Sequence, residues 1–167
     1  MIVNRPNLAR LAAYLESLPL NYADFDMDDF IDPWEEVDPE LKVKYALENG
    51  GVGAVCGTVA CAVGHGPSAG MLFQKDEIIS AEGDEGEPRP DWWAYGRRVF
   101  GLTSSNQVFL WLFGAMWSER DNTHRGAAAR IRYYLDRGLP ECMDENHYVS
   151  LLPDEAVPSL YKEYLTE

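Results

Sequence analysis

Three helix signals follow one another between Asp91 and Gly138, and they commit the middle of the chain to helices. Thr123 stands where an N-cap hydroxyl is wanted. Ala127, Ala128, Ile131, Tyr134 and Leu135 then recur at three- and four-residue spacing, Gly138 takes the C′ position, and Pro140 lies beyond it. Asp91 can cap a helix carrying Trp92, Trp93, Tyr95, Val99 and Phe100, with Gly101 as its stop. Between these two, Thr103 to Asn106 offers cap residues for Val108, Leu110, Trp111, Leu112, Phe113, Met116 and Trp117. That run is apolar nearly all round, which predicts a central, buried helix reaching Trp117.

The N-terminal part adds an amphipathic helix. Asn4 and Pro6 mark its start, Leu8, Leu11, Ala12, Leu15 and Leu18 form its apolar stripe, and Pro19 ends it. Leu41, Tyr45 and Leu47 suit a helix from Pro39 to Glu48, closed by Asn49-Gly50-Gly51. The small residues from Val52 to Gly66 suggest close helix packing. Tyr148 to Leu152 reads as a short extended piece and Ser159 to Leu165 as a last helix. A length of 167 residues supports one core. The expected fold is all-α, a compact single-domain helical bundle over 1–167 with long acidic loops.

Two segments supply those loops. Asp24 to Glu40 carries nine acidic residues and no basic one, broken by Pro33 and Pro39 and interleaved with Phe25, Met27, Phe30 and Trp34. Its aromatics are expected inward and its carboxylates in water. Lys75 to Asp91 holds seven acidic residues with Gly83, Gly86, Pro88 and Pro90, and reads as the most mobile exposed loop.

Charge narrows the function classes. Lys and Arg number 14 against 28 Asp and Glu, a formal net charge of −14, which opposes phosphate backbones and anionic lipid surfaces. Neither nucleic acid nor a membrane is an expected partner. From Arg97 to Arg137 seven arginines stand against Glu119, Asp121 and Asp136, so this stretch is +4 and the remainder is −18. A basic helical strip paired internally with acidic residues is the expectation. Three cysteines, an odd number, and a start at Met1-Ile2-Val3 without a cationic and apolar leader point to reduced thiols in a cytoplasm.

The most distinctive segment is Cys56-Gly57-Thr58-Val59-Ala60-Cys61-Ala62-Val63-Gly64-His65-Gly66-Pro67. As a helix it would set Cys61 and His65 one turn apart, with Cys56 near the N-terminus, where thiol pKa falls. Three chemistries compete. Cys56, Cys61 and His65 could hold zinc with His124, Cys142 or His147 as fourth ligand, although the spacing matches neither a knuckle nor a finger. Cys56 could be a nucleophile with His147 as base, since the run resembles the Cys-Gly-Ser-Cys of papain-like enzymes over a few residues. The plain alternative is packing: buried thiols behave as small hydrophobes, the glycines permit close approach, and His65 makes one hydrogen bond.

Asp24, Asp26, Asp28, Asp32 and Glu35 occupy positions 1, 3, 5, 9 and 12 of a calcium loop. Position 6, which needs glycine, is Asp29, and Pro19 and Pro33 interrupt the flanking helices, so an acidic solvated loop without an ion is expected.

Phe25-Asp26-Met27, the Cys56–Pro67 block, Trp111-Leu112-Phe113 and Ala128-Ala129-Arg130-Ile131 resemble a group of uncharacterised bacterial and phage-borne proteins over roughly residues 25 to 138. The resemblance implies a mobile-element setting and carries over no catalytic residue. Together these readings favour an acidic protein-interaction module, without cofactor, that binds a basic or nucleic-acid-handling host protein through Asp28, Asp29, Glu35 and Glu36. The alternatives are a small cysteine-dependent enzyme using Cys56 and a metal- or small-ligand-binding helical module.

Overall fold

The computed structural model describes residues 2–22, 25, 62–80, 88–102, 107–114, 117, 120–140 and 157–165. Asn4 begins α1 (Arg5–Ser17) by accepting from the Asn7 backbone N–H, with a proline in the first turn, and Leu8, Leu11, Ala12 and Leu15 are its buried face. Asp91 caps α2 (Trp92–Phe100) through two backbone N–H groups, those of Trp93 and Ala94. Gly101 closes α2 with φ 69°, a conformation glycine adopts freely, and its Cα faces the Ile2 carbonyl so closely that a Cβ would lie 2.3 Å from that oxygen. After α3 (Gln107–Phe113), Thr123 caps α4 (His124–Arg137) by accepting from Gly126 N–H, and Gly138 ends it. The chain closes on the short α5 (Val157–Tyr161) and a 3-10 turn, Lys162–Tyr164.

The fold is all-α, with one departure from the expected exposed loop at Lys75 to Asp91. Lys75–Glu77 forms a 3-10 turn, and β1 (Ile78–Ser80) pairs antiparallel with β2 (Pro88–Pro90) in the register Ile78 with Pro90. The reason lies partly in Glu77. Its carboxylate is buried against Arg98 of α2, and its carbonyl accepts from Asp91 N–H at 2.7 Å, which brings the two arms of the segment together.

A second departure is the length of α3. It stops at Phe113 instead of reaching Trp117, because Gly114 weakens propagation and the Trp117 indole N–H takes the Trp111 carbonyl at 2.8 Å, an acceptor the helical ladder would otherwise use. Trp117 is nonetheless buried, as expected. A third concerns the Cys56–Pro67 block: its described part, continuing to Gly70, is a run of turns. Pro67 lacks a donor, Gly70 has φ 79°, and Gly66, Gly70 and Met71 bond back to Val63, Pro67 and Gly66.

The core lies where α1 runs along α4, with α2 and α3 beside them. Leu11, Leu15, Trp111, Leu112, Ala127, Ala129 and Ile131 are fully buried there, and the α4 alanines let the two helices approach. The expected helix at Pro39–Glu48 and the extended piece at Tyr148–Leu152 lie outside the described residues. No helix among the described residues is long and apolar enough to cross a membrane.

Trp111 meets Trp117, Tyr133 and Tyr161 with ring centroids 5.3 to 6.2 Å apart. Trp111→Ala should therefore cost about 3–5 kcal/mol, the range for large buried truncations. Urea unfolding followed by far-ultraviolet circular dichroism measures it; a loss under about 1 kcal/mol would remove Trp111 from the core.

Candidate functional site

Of the residues singled out for chemistry, His65 and His124 are placed by the structure, and both are buried. His124 is the first residue of α4, delivered by the Thr123 cap, and its Nδ1–H donates to the Leu15 carbonyl of α1 at 2.9 Å. His65 comes from the turn at Ala62–Gly70. Phe25 stacks on the His65 ring at 5.6 Å and 4°, and meets the His124 ring edge-on at 6.2 Å. Tyr22 touches both histidines, at 5.6 and 6.1 Å, and Tyr14 adds a third ring on His65 at 6.0 Å.

The arrangement is an aromatic joint that ties α1, the segment around Tyr22 and Phe25, the Ala62–Gly70 turn and α4. Rings in these tilted and edge-on geometries add favourable contacts beyond their area. The two histidines share Phe25 and Tyr22 as common neighbours. Among the described residues, no group of three or more His, Cys, Asp or Glu is arranged to hold a metal ion. Cys56, Cys61, Cys142 and His147 lie outside the described residues, as do Asp24, Asp26, Asp28, Asp29, Asp32, Glu35 and Glu36. The nucleophile, zinc and calcium readings turn on those positions.

Comparison with protein-family models, with curated proteins and with solved structures finds no match.

The basic strip is where geometry says most. Arg98 grips Glu77 through Nε and Nη2, the Nη2 contact measuring 2.8 Å, and also donates to the Leu72 carbonyl. Arg132 of α4 grips Glu16 of α1 at 2.8 and 2.7 Å. Arg137 reaches Glu163 at 2.6 Å and Asp136 at 3.6 Å. Hydrogen bonding to their carboxylates holds Arg98 and Arg132 above the ordinary arginine value, and the nearby Glu163 charge does the same for Arg137. Internal pairing of the strip is thus present at several of its arginines.

Arg130 is different in kind. It is fully buried, flanked by Asp121, Trp117 and Tyr161, and burial pushes it below its ordinary value. The helical spacing shared with Ala127, Ile131 and Tyr134 carried the signal that Arg130 faces inward; its charge argued the other way. The burial of Glu77 and His124 had no such local signal, since their partners are 21 and 109 residues away.

Burial raises the Tyr95 phenol, which donates to the Met71 carbonyl at 2.7 Å, and the Tyr161 phenol, which donates to Asp121 at 2.6 Å, above the ordinary tyrosine value. Both hydroxyls stay protonated in the fold after the unfolded chain has ionised. Their contribution is complete below about pH 10 and falls as pH rises beyond it. Urea midpoints taken from pH 8 to 11 should decline above about pH 10, and Tyr95→Phe should flatten that decline. A midpoint equally steep in the variant would separate Tyr95 from the effect.

Proposed function

We propose that this chain is an acidic protein-interaction module that engages a partner with a basic surface, such as a nucleic-acid-handling protein of a host cell. The observation that carries the reading is the internal use of positive charge. Arg98, Arg130, Arg132 and Arg137 each face a carboxylate of the same chain. Pairing removes one charge of each sign, so the excess of −14 is undiminished while the strip that could have offset it locally is neutralised. The field felt at a distance is negative, and such a field accelerates encounter with cationic surfaces and opposes nucleic acid and anionic membranes.

Asp28, Asp29, Glu35 and Glu36 are the proposed contact residues. They fall in a segment with nine carboxylates and no counter-charge. The resemblance to bacterial and phage-borne proteins supports a mobile-element setting, in which such a surface would serve to occupy a host protein.

Stopped-flow fluorescence with a labelled arginine-rich peptide as probe tests this. The association rate should fall about tenfold or more between low and high salt, as the Debye length shrinks from about 30 Å at 0.01 M to about 3 Å at 1 M. The variant Asp28→Asn, Asp29→Asn, Glu35→Gln, Glu36→Gln should stay folded and associate more slowly than the parent. A variant that matches the parent at every salt concentration would move the contact away from these residues.

A further inference from the structure

At the C-terminal end of α4 the Arg137 guanidinium sits among groups that all favour a cation. It lies 5.9 Å from the Tyr133 ring centroid and 5.9 Å from that of Tyr164. Its Nη2 meets the Glu163 carboxylate at 2.6 Å, and its Nε is 3.6 Å from the Asp136 carboxylate. The Tyr164 hydroxyl, which donates to Asp136, also hydrogen-bonds Arg137. Aromatic faces, carboxylates and the carbonyl end of a helix each attract positive charge.

Unlike the setting of Arg130, this one is open to solvent. The side chains of Arg137, Glu163 and Asp136 are 53%, 54% and 64% exposed. Beside them is an open cleft of about 690 Å³, lined by Tyr133, Arg137, Ser159, Leu160, Lys162 and Glu163. It has room for an incoming side chain.

We infer that this end of α4 receives an arginine side chain of a basic partner protein, and that Arg137 occupies the place until a guanidinium of the partner takes over its carboxylates and rings. The inference rests on the proposed engagement of a basic surface and adds a second contact to it. Exchange costs little, because an ion pair this exposed is screened by water and holds its members weakly. With Arg137 swung away, the carboxylates of Asp136 and Glu163 and the carbonyl end of α4 face one remaining cation, Lys162, so an incoming positive charge is still attracted. A guanidinium suits the place better than an ammonium. Its several N–H groups can reach Glu163, Asp136 and the Tyr164 hydroxyl together, as those of Arg137 do, and its plane can lie against a ring, whereas an ammonium is a compact point of charge.

Fluorescence anisotropy at fixed ionic strength, with labelled oligoarginine and oligolysine of equal length as probes, tests this. The arginine peptide should bind more tightly. Arg137→Ala removes the internal occupant and should tighten the arginine peptide by up to about fivefold, the scale of one exposed ion pair, beyond any change in Arg97→Ala, which removes an equal charge from α2. Glu163→Gln should diminish the preference for arginine. The variant neutralised at Asp28, Asp29, Glu35 and Glu36 should weaken both peptides and keep that preference. Equal affinity for the two peptides in the parent, with Arg137→Ala no different from Arg97→Ala, would overturn the site while leaving the interaction reading in place. Binding of neither peptide would overturn both.

Discussion

A guanidinium buried on the inner face of α4 sets the terms for much of the fold. Charge moved out of water is strongly unfavourable unless partners surround it, and removing one partner of such a set costs more than the set itself contributes. Around Arg130 the partners come from three parts of the chain: Asp121 before α4, Trp117 after α3, and Tyr161 at the end of α5. The demand reaches the backbone. Gly126 is needed because the Asp121 carboxylate occupies the place of a side chain there, within 1.9 to 2.3 Å of where a Cβ would stand. Asp121 also accepts from the Thr123 hydroxyl at 2.6 Å, so the residue that partners Arg130 steadies the cap of the helix that carries it.

The same helix joins the rest of the molecule through apolar and aromatic contacts. Its alanines meet the leucines of α1, and its first residue, His124, bonds the Leu15 carbonyl while touching the rings of Tyr22 and Phe25. Arg132 and Glu16 bind the two helices again at the half-buried margin, where the ion pair adds orientation more than energy. The ion pairs of Arg98, Arg130, Arg132 and Arg137 therefore join parts of the same chain.

Much of this was legible in the sequence where the signal is local. Asn4, Asp91 and Thr123 cap helices because a side-chain oxygen three residues or fewer from an orphan N–H needs nothing else, and Gly101 and Gly138 end helices because positive φ suits glycine. The inward face of α4 followed from its spacing. What the sequence concealed depends on distant partners: Glu77 is drawn inside by Arg98, and the segment expected as an open loop becomes a ribbon beside it. The early end of α3 is similar, since the indole of Trp117 competes for a helical carbonyl only once both are packed. Of the candidate site residues, His65 and His124 are brought to a shared aromatic joint by Phe25 and Tyr22, contacts between distant parts of the chain that no local pattern announces.

α4, with Arg130 at its middle, is the organising element against which the other helices are stable. Native-state amide hydrogen exchange across a denaturant series tests it most directly, because it separates local from global opening residue by residue. The amides from Ala128 to Tyr134 in α4 and from Leu11 to Leu15 in α1 should exchange only through global unfolding, with free energies that fall together as denaturant rises. Exchange of the α4 amides through small local openings, while α1 or α2 stays protected, would contradict it.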